Sequence, residues 1–189
     1  MSSIPSPISA ERRNRKLNAA PLMVAATRNG LGVFAARTFA RGHVIDKIAG
    51  RTTHHRVLWR RRGSFAANCI RFGPNTYLDP RTDVGRYLNH ACEPNAGIRK
   101  WRNQLFLFAA TRVRKGSEIV VDYSTTIGDD DIWTMRCNCG RTRCRTIVRR
   151  FGSMPTELQR KYIQAGLVPE YIIRTLDMVP DRRRHSERA

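Results

Sequence analysis

The ten residues Arg86–Asn95 (RYLNHACEPN) carry side chains that could do chemistry and are flanked by apolar stretches. Asn89 and His90 offer hydrogen-bond donors and acceptors, and Cys92 offers a thiol that can bind a metal. Pro94 cannot lie inside a helix or a central strand, so the segment is expected to form a tight turn. Polar groups this dense beside apolar runs are typical of a buried functional turn.

Two later stretches offer chemical partners for this segment. The run Glu118–Tyr123 (EIVVDY) has the pattern of a short buried strand that ends in an acid and a phenol. Three cysteines, Cys137, Cys139 and Cys144, lie within eight residues, which favours a metal clip. Disulfides are disfavoured in an intracellular chain, and Cys-x-Cys thiols bridge poorly with each other. The cysteine run is therefore interpreted as a metal site.

These motifs, in this order, resemble the signature of SET-domain protein lysine methyltransferases. The signature consists of Asn-His-x-Cys-x-Pro-Asn, then Glu-Ile-x-x-Asp-Tyr about thirty residues later, then a Cys-x-Cys-x4-Cys that resembles the post-SET zinc motif. Upstream, Asn29–Phe34 (NGLGVF) resembles the family's Gly-x-Gly turn. The resemblance implies a mainly β fold with short helices. In detail, it implies a β-clip-like SET fold of several small sheets with a threaded pseudoknot, a C-terminal zinc clip and one or two helices.

The resemblance also implies a reaction, the transfer of a methyl group from S-adenosyl-L-methionine to a lysine amine of a basic protein. The amine attacks the methyl carbon in line, so catalysis comes from alignment and from exclusion of water. A lysine with a pKa of about 10.4 must first lose its proton, which costs roughly 4–5 kcal/mol at neutral pH. An apolar channel beside the positive sulfonium lowers that pKa. By resemblance Tyr123 is catalytic, because its neutral phenol can orient the amine; a tyrosine that packs in the core is the alternative.

In the family, the Asn-His pair grips the adenosyl cofactor and the Gly-x-Gly turn lets the main chain approach it closely. The cofactor-binding residues that this implies are Asn29, Gly30, Leu31, Gly32, Arg86, Tyr87, Asn89, His90, Tyr123 and Val148. An ordinary hairpin turn at the glycines stays open as an alternative. His90 is expected to join segments by hydrogen bonds rather than to act as a base.

The post-SET resemblance implies one structural zinc ion. Structural zinc is tetrahedral, so the three clustered cysteines need a fourth ligand. In proteins with a post-SET motif, the cysteine of Asn-His-x-Cys completes the site, and this sequence has that cysteine. The implied ligands are Cys92, Cys137, Cys139 and Cys144. Cys69 is then a spare, expected to be a small buried hydrophobe.

A substrate channel is expected beside Tyr123. The family often carries Tyr-x-Gly on an early strand, and this chain has Ile48 in place of that tyrosine. The channel candidates are Tyr77, Val121, Asp129, Asp130 and Asp131. Val121 takes a position where relatives often have Phe or Tyr, so room for more than one methyl group is expected. The three aspartates are the densest acidic patch, and they are interpreted either as an entrance for a basic peptide or as a solvated loop.

The charge of the chain adds a second function class. The sequence has 35 Lys and Arg against 15 Asp and Glu, a net charge of +20. Such a field attracts polyanions, so nonspecific nucleic-acid association is one expectation, and a solvated arginine-rich surface is the other. The alternative function is a catalytically weak or inactive SET-like zinc module that binds nucleic acid or chromatin.

Composition also bears on the compartment. No run approaches the ~20 apolar residues of a membrane span, and the first residues lack the apolar region of a secretory signal. An intracellular protein is expected. It would lie in the cytoplasm or nucleoid of a bacterium, or in the nucleus or chromatin of a eukaryote or of a host to which it is delivered.

Strand and helix patterns suggest how the motif residues are positioned. Short apolar runs about ten residues apart, separated by glycine turns, predict small sheets. The predicted strands are 22–26, 32–36, 44–49, 67–72, 75–78, 105–110 and 118–121. The predicted helices are a short one around 57–59, one capped by Ser153 that stops at Gly166, and one from Pro169 to Asp177. The expected parts are a basic flexible arm (1–20), the SET domain (21–135), a post-SET zinc-binding segment (136–150), a helical segment (151–180) and a disordered tail (181–189).

Overall fold

The structure, a computed structural model, describes residues 21–60, 68–81, 83–131 and 133–176. Its strands are β1 (Leu22–Thr27), β2 (Gly30–Ala35), β3 (Val44–Ile48), β4 (Arg51–His54), β5 (Ile70–Gly73), β6 (Thr76–Asp79), β7 (Asn89–His90), β8 (Ala96–Trp101), β9 (Gln104–Ala109), β10 (Glu118–Val121), β11 (Met135–Arg136) and β12 (Ile147–Val148). Its helices are α1 (His55–Arg60), α2 (Thr156–Gln164) and α3 (Glu170–Leu176), and 3₁₀ turns cover Val84–Tyr87, Tyr123–Thr126 and Phe151–Ser153. The predicted arm 1–20, the tail 181–189, Ala67 and Asp177 lie outside the described residues.

The described strands form four small sheets, in the orders β1-β2-β10-β7, β3-β9-β8, β4-β6-β5 and β11-β12. This confirms the predicted mainly β fold of several small sheets with few helices. In the first sheet, β10 pairs antiparallel with β2 and parallel with the two-residue strand β7, so that Val121 lies beside His90. The Asn-His motif and the strand that leads to Tyr123 are therefore neighbours.

Strand β9 separates two apolar clusters because its side chains alternate between faces. Leu105 and Leu107 point into the main core between the sheets. Phe108 points to the other face, where it packs in a second cluster with residues of the C-terminal helices. Arg99 on β8 lies over the Phe108 ring, 3.7 Å from its centroid, and donates from Nε to the Gly166 carbonyl (3.1 Å) just after α2. The C-terminal helices are thus fixed to the outer face of this sheet.

Two of the longer strands and one helix cap differ from the sequence prediction. Strand β8 (AGIRKW) was not predicted because its polar residues hide the alternation, although Ile98 is buried in the main core. Strand β4 was also not predicted, since its sequence RTTH is polar and largely exposed. The predicted Ser153 cap is wrong, because α2 begins after Pro155 without a side-chain cap. Ser153 lies in the preceding 3₁₀ turn and accepts a hydrogen bond from Arg150 Nε (3.2 Å).

A buried arginine joins three parts of the fold away from the Asn-His motif. The Arg71 side chain is 2% exposed and donates to Asp130 Oδ1 (2.5 Å) and Asp131 Oδ2 (2.9 Å). Tyr77 on β6 donates to Asp131, and Tyr171 on α3 donates to the Arg71 carbonyl. We call these five residues the outer hub. It ties the β5–β6 hairpin to the loop before the cysteines and to the last helix.

Within the described part of the chain, no helix has the length and apolar character needed to cross a membrane.

Candidate functional site

Tyr123 opens the 3₁₀ turn that follows β10. Its backbone N–H donates to His90 Nδ1 (3.2 Å), and its hydroxyl donates to the Leu88 carbonyl (2.5 Å). Burial raises the pKa of Tyr123 to about 12, and the charge of Glu118 acts in the same direction. The phenol is therefore neutral at physiological pH. Since its proton is held by Leu88, the lone pairs of the oxygen are available to accept a hydrogen bond.

His90 connects Tyr123 to the cysteines. Its Nδ1 accepts the Tyr123 N–H, so a neutral ring carries its proton on Nε2, and Nε2 lies 3.3 Å from Cys92 Sγ. Burial lowers the pKa of His90 to about 4, although the nearby Asp122 opposes this shift. His90 is thus a neutral bridge that donates toward sulfur, which agrees with the expectation that it joins two segments by hydrogen bonds.

Asp122 is the centre of a second group of buried polar contacts. Its side chain is fully buried and accepts two hydrogen bonds from Arg145, at 2.6 and 2.7 Å. It also accepts from the Ser124 N–H (3.0 Å), and the Tyr162 hydroxyl of α2 lies 3.1 Å from its Oδ2. A buried carboxylate requires such partners, and a paired arginine fork is the strongest of them. We call Asp122, Arg145 and Tyr162 the site hub.

The four cysteines of the predicted metal site lie together. Their sulfur atoms are all within 4.8 Å of one another, and Cys92 Sγ lies 3.7 Å from Cys137 Sγ. A tetrahedral zinc site with bonds of about 2.3 Å has sulfur–sulfur distances of about 3.8 Å. Backbone N–H groups of Arg145 and Thr146 donate to Cys92 Sγ (3.3 Å) and Cys144 Sγ (3.4 Å). The donor set fits one structural Zn²⁺ ion.

The chemistry of the thiols supports this fit. Burial raises the pKa of Cys92 to about 11, so a bound cation is needed to hold it as a thiolate at neutral pH. Cys69 is half-buried and does not belong to the cluster. We call residues 135–148, from β11 to β12, the cysteine clip.

Asn89 fixes the Gly-x-Gly turn. Its Nδ2 donates to the Leu31 carbonyl (3.1 Å) and to Glu118 Oε1 (2.8 Å). A Cβ on Gly32 would lie 2.5 Å from that carboxylate and 2.9 Å from Asn89 Nδ2, so a larger residue would force these side chains to move. Gly30 has a φ of +101°, which glycine adopts without strain.

The cysteine clip contacts the same turn. Asn138 Oδ1 accepts from Arg28 Nη2 (3.0 Å), and Asn138 Nδ2 donates to Asn29 Oδ1 (3.2 Å). The turn, Asn89 and the clip therefore adjoin one another, and His90 links the clip to Tyr123. These contacts bring together most of the residues that the resemblance assigned to the cofactor and the metal.

The other predicted site residues have different surroundings. Arg86 is exposed, and its guanidinium carbon lies 5.9 Å from the centroid of the half-buried Tyr87 ring. Val148 is fully buried and pairs with Met135 in the clip. Val121 is 3% exposed and packs in the main core.

The channel candidates other than Val121 are engaged within the protein. Tyr77, Asp130 and Asp131 belong to the outer hub. Asp129 Oδ1 accepts the Gly152 N–H (3.1 Å). The Asp130 side chain nevertheless remains 62% exposed and accessible to solvent.

The sequence did not predict three contacts near Tyr123 and Asp122, which are made by Trp133, Arg145 and Tyr162. The Trp133 ring is half-buried, with its centroid 6.2 Å from that of Tyr123. Ile48, at the position where the family often has a tyrosine, lies in the main core. Arg145 follows Cys144 directly in the chain and pairs with Asp122. Tyr162 has the helical spacing of an ordinary core residue, so no sequence signal marks its contact with Asp122.

Comparison with known proteins places this geometry in a family. The profile of the SET domain matches residues 30–124, half of the chain. Histone-lysine N-methyltransferase set-2 of Caenorhabditis elegans is 28% identical over 129 residues, which is 62% of this chain and 8% of that protein. A histone-lysine N-methyltransferase of Mycosarcoma maydis, H3 lysine-4 specific, is 25% identical over 126 residues, 60% of this chain and 9% of that protein. The chain spans less than a tenth of the length of these two relatives.

A solved structure shows the same fold. The crystal structure of the methyltransferase domain of human histone-lysine N-methyltransferase SETMAR superposes with a TM-score of 0.58 at 24% identity. The superposition covers 68% of this chain and 58% of that chain. The span matched by the profile contains the Gly-x-Gly turn, the Asn-His motif, strand β10 and Tyr123. Since the profile matches half of the chain, the chain belongs to the SET-domain family.

Proposed function

We propose that this protein is an S-adenosylmethionine-dependent protein-lysine N-methyltransferase that acts on a basic protein, histone-like or otherwise associated with nucleic acid. The observation that carries the proposal is the position of the Tyr123 hydroxyl. It donates to the carbonyl of Leu88, the residue before Asn89, and its ring lies beside Trp133. The relatives' names, histone-lysine N-methyltransferases, support a lysine of a basic protein as the substrate.

The donor, when bound, supplies an electrophilic methyl group. Tyr123 orients the neutral amine by accepting its N–H, because the tyrosine's own proton is engaged by Leu88. Trp133 and Val121 help to exclude water, which favours the neutral form of the amine. Tyr123 stays protonated and does not act as a base, since its pKa is raised to about 12 by burial.

The donor site is proposed at the junction of the Gly-x-Gly turn, Asn89 and the cysteine clip. Asn89 uses its N–H groups within the protein, while its Oδ1 has no hydrogen-bond donor among the described residues and can accept from a ligand. The proposed donor-binding set is that of the resemblance: Asn29, Gly30, Leu31, Gly32, Arg86, Tyr87, Asn89, His90, Tyr123 and Val148. Room for more than one methyl group beside Val121 stays a prediction, as does an entrance role for Asp129, Asp130 and Asp131.

A labelled-methyl assay tests the proposal. The protein is mixed with labelled donor and with histones, ribosomal proteins or bacterial nucleoid proteins, and lysine labelling is measured. Replacing Tyr123 by Phe should lower kcat by about 100-fold or more, since the amine loses its orienting oxygen. Donor affinity from calorimetry should stay within about threefold, because the ring remains in place. Failure of the wild-type protein to bind the donor would refute the proposed function.

The cysteine clip gives a second prediction. We propose that zinc holds Cys92, Cys137, Cys139 and Cys144 and fixes the clip against Asn29 and Asp122. Removal of zinc by a chelator should therefore abolish methyl transfer and donor binding, while the main core stays folded. Activity and far-UV circular dichroism are measured before and after chelation and after zinc is restored. Complete unfolding on chelation, or full activity without zinc, would contradict this role.

A nucleic-acid-binding module without transferase activity is the second candidate function. It is favoured by the surface of the clip and the residues just after it, where several arginines are exposed and form no ion pair with the described residues. These arginines are Arg136, Arg141, Arg143 and Arg149. Arginine forks suit phosphate groups. Donor binding with methyl transfer would favour the enzyme, and nucleic-acid binding without either would favour the module.

The division into parts is also a proposal, supported by the two apolar clusters. The main core belongs to the SET domain (21–135), and the second cluster joins the helical segment (151–180) to it through Phe108. The post-SET zinc-binding segment (136–150), which contains most of the cysteine clip, lies between them along the chain. The compartment, whether nucleoid or nucleus, stays a prediction.

A further inference from the structure

Helix α2 lies outside the span that the SET-domain profile matches, yet it reaches the site. Its Tyr162 is 4% exposed. The hydroxyl lies 3.0 Å from the Cys92 carbonyl and 3.1 Å from Asp122 Oδ2. Both partners are acceptors, so the single hydroxyl proton is shared between the Cys92 carbonyl and Asp122, the residue that precedes Tyr123.

The contact with Asp122 affects how Tyr123 is held. Asp122 caps the 3₁₀ turn that begins at Tyr123 by accepting the Ser124 N–H. Its other oxygen, Oδ2, is bonded by Arg145 and by Tyr162. Loss of the Tyr162 hydroxyl would leave Oδ2 with the arginine alone, and the carboxylate could then rotate with it. The start of the turn, and with it the Tyr123 ring, would lose one restraint.

We propose that Tyr162 is a positioning residue for methyl transfer. It acts through Asp122 on the placement of the Tyr123 ring, and through the Cys92 carbonyl on the position of the clip relative to that ring. The inference rests on the proposed function for its kinetic consequence. Its structural consequence, a fixed Tyr123 ring, does not depend on the reaction.

Tyr171 provides a matched control on the same helical segment. It is 9% exposed, packs in the same apolar cluster as Tyr162, and donates its buried hydroxyl to the Arg71 carbonyl of the outer hub. Both Tyr→Phe changes keep the ring and remove one buried hydroxyl. A purely structural role for Tyr162 therefore predicts similar behaviour for the two variants.

The kinetic experiment compares Tyr162→Phe and Tyr171→Phe with the wild type. The Tyr162 variant should lose about tenfold or more in kcat, with KM for the donor and the zinc content unchanged, because misplacement of an aligned group lowers turnover rather than binding. The Tyr171 variant should keep kcat within about twofold. Equal losses in kcat, or a loss that follows zinc content, would overturn the proposal.

A spectroscopic readout separates this inference from the proposed function. The chain has five tyrosines, so incorporation of 3-fluorotyrosine gives a small set of fluorine resonances that Tyr→Phe variants assign. Tyr162→Phe should shift or broaden the Tyr123 resonance, whereas Tyr171→Phe should leave it unchanged. An unmoved Tyr123 resonance in Tyr162→Phe would refute the inference even if the enzyme is active. A wild-type protein that transfers no methyl group would refute the function but not the restraint on Tyr123.

Discussion

The site hub and the outer hub contain the same residue types, but the buried member of the ion pair is the carboxylate in one and the arginine in the other. Each combines an arginine, at least one aspartate and a tyrosine from a C-terminal helix, Tyr162 or Tyr171. In the site hub the carboxylate Asp122 is fully buried and Arg145 is 16% exposed. In the outer hub the Arg71 side chain is 2% exposed, while Asp130 is 62% exposed. The first arrangement holds a fixed negative charge next to Tyr123, whereas the second fastens surface loops to a buried cation.

The comparison predicts the largest effect at Arg145. Arg145→Gln leaves Asp122 as a buried carboxylate without its ion pair, so stability should fall by about 3–5 kcal/mol. The turn that starts at Tyr123 loses its anchor, and kcat should fall by about 100-fold or more. Urea unfolding and the methyl-transfer assay measure the two effects.

Arg143→Gln is the control for this change, because Arg143 lies two residues earlier in the clip and is exposed. It should alter stability by less than about 0.5 kcal/mol. If Arg145→Gln retains more than about half of the wild-type activity with its zinc content intact, the site hub does not support Tyr123.

Arg71→Met should lower the stability of the protein while leaving kcat nearly unchanged. It removes the buried cation to which Asp130 and Asp131 are bonded. Because Asp130 is 62% exposed and only Asp131 is left largely buried, the expected cost is about 1–3 kcal/mol. The variant should unfold at lower urea concentration. At a temperature where it is fully folded, its kcat should stay within about threefold of the wild type, because no hydrogen bond or ion pair joins the outer hub to Tyr123 among the described residues. A loss of kcat as large as that of Arg145→Gln would show that the two hubs are coupled.

Sequence patterns predicted the parts of the site that local rules determine. Strand β10 has the predicted bounds, Glu118 and Val121. The run 118–123 was predicted as a partner of the Asn-His motif, and the parallel pairing of β10 with β7 places His90 beside it. The four cysteines were predicted to converge, and they do so within 4.8 Å.

The hubs could not be predicted because their partners are chosen by tertiary packing. Arg71 and Asp130 are 59 residues apart in the chain, and Asp122 and Arg145 are 23 residues apart. With 35 basic residues and 15 acidic ones, the sequence offers many equivalent pairings. Strand β8 was missed for a similar reason. Its Lys100 is satisfied only in the fold, where Nζ lies over the Phe72 ring and donates to the Phe72 carbonyl (2.8 Å).

The smallest expected effect is a pH dependence of the stability that the outer hub contributes. Burial raises the pKa of Asp130, but the hydrogen bond and charge of Arg71 outweigh this and hold the pKa below its usual range. A carboxyl whose pKa is lowered in the folded state stabilises the protein above its unfolded pKa of about 4, and that contribution is lost as the pH falls through the lower folded value. Arg71→Met removes the cause of the shift, so the difference in urea midpoint between wild type and variant should shrink as the pH falls below about 4. A difference that stays constant or grows over that range would show that the outer hub owes its stability to packing rather than to the charge on Asp130.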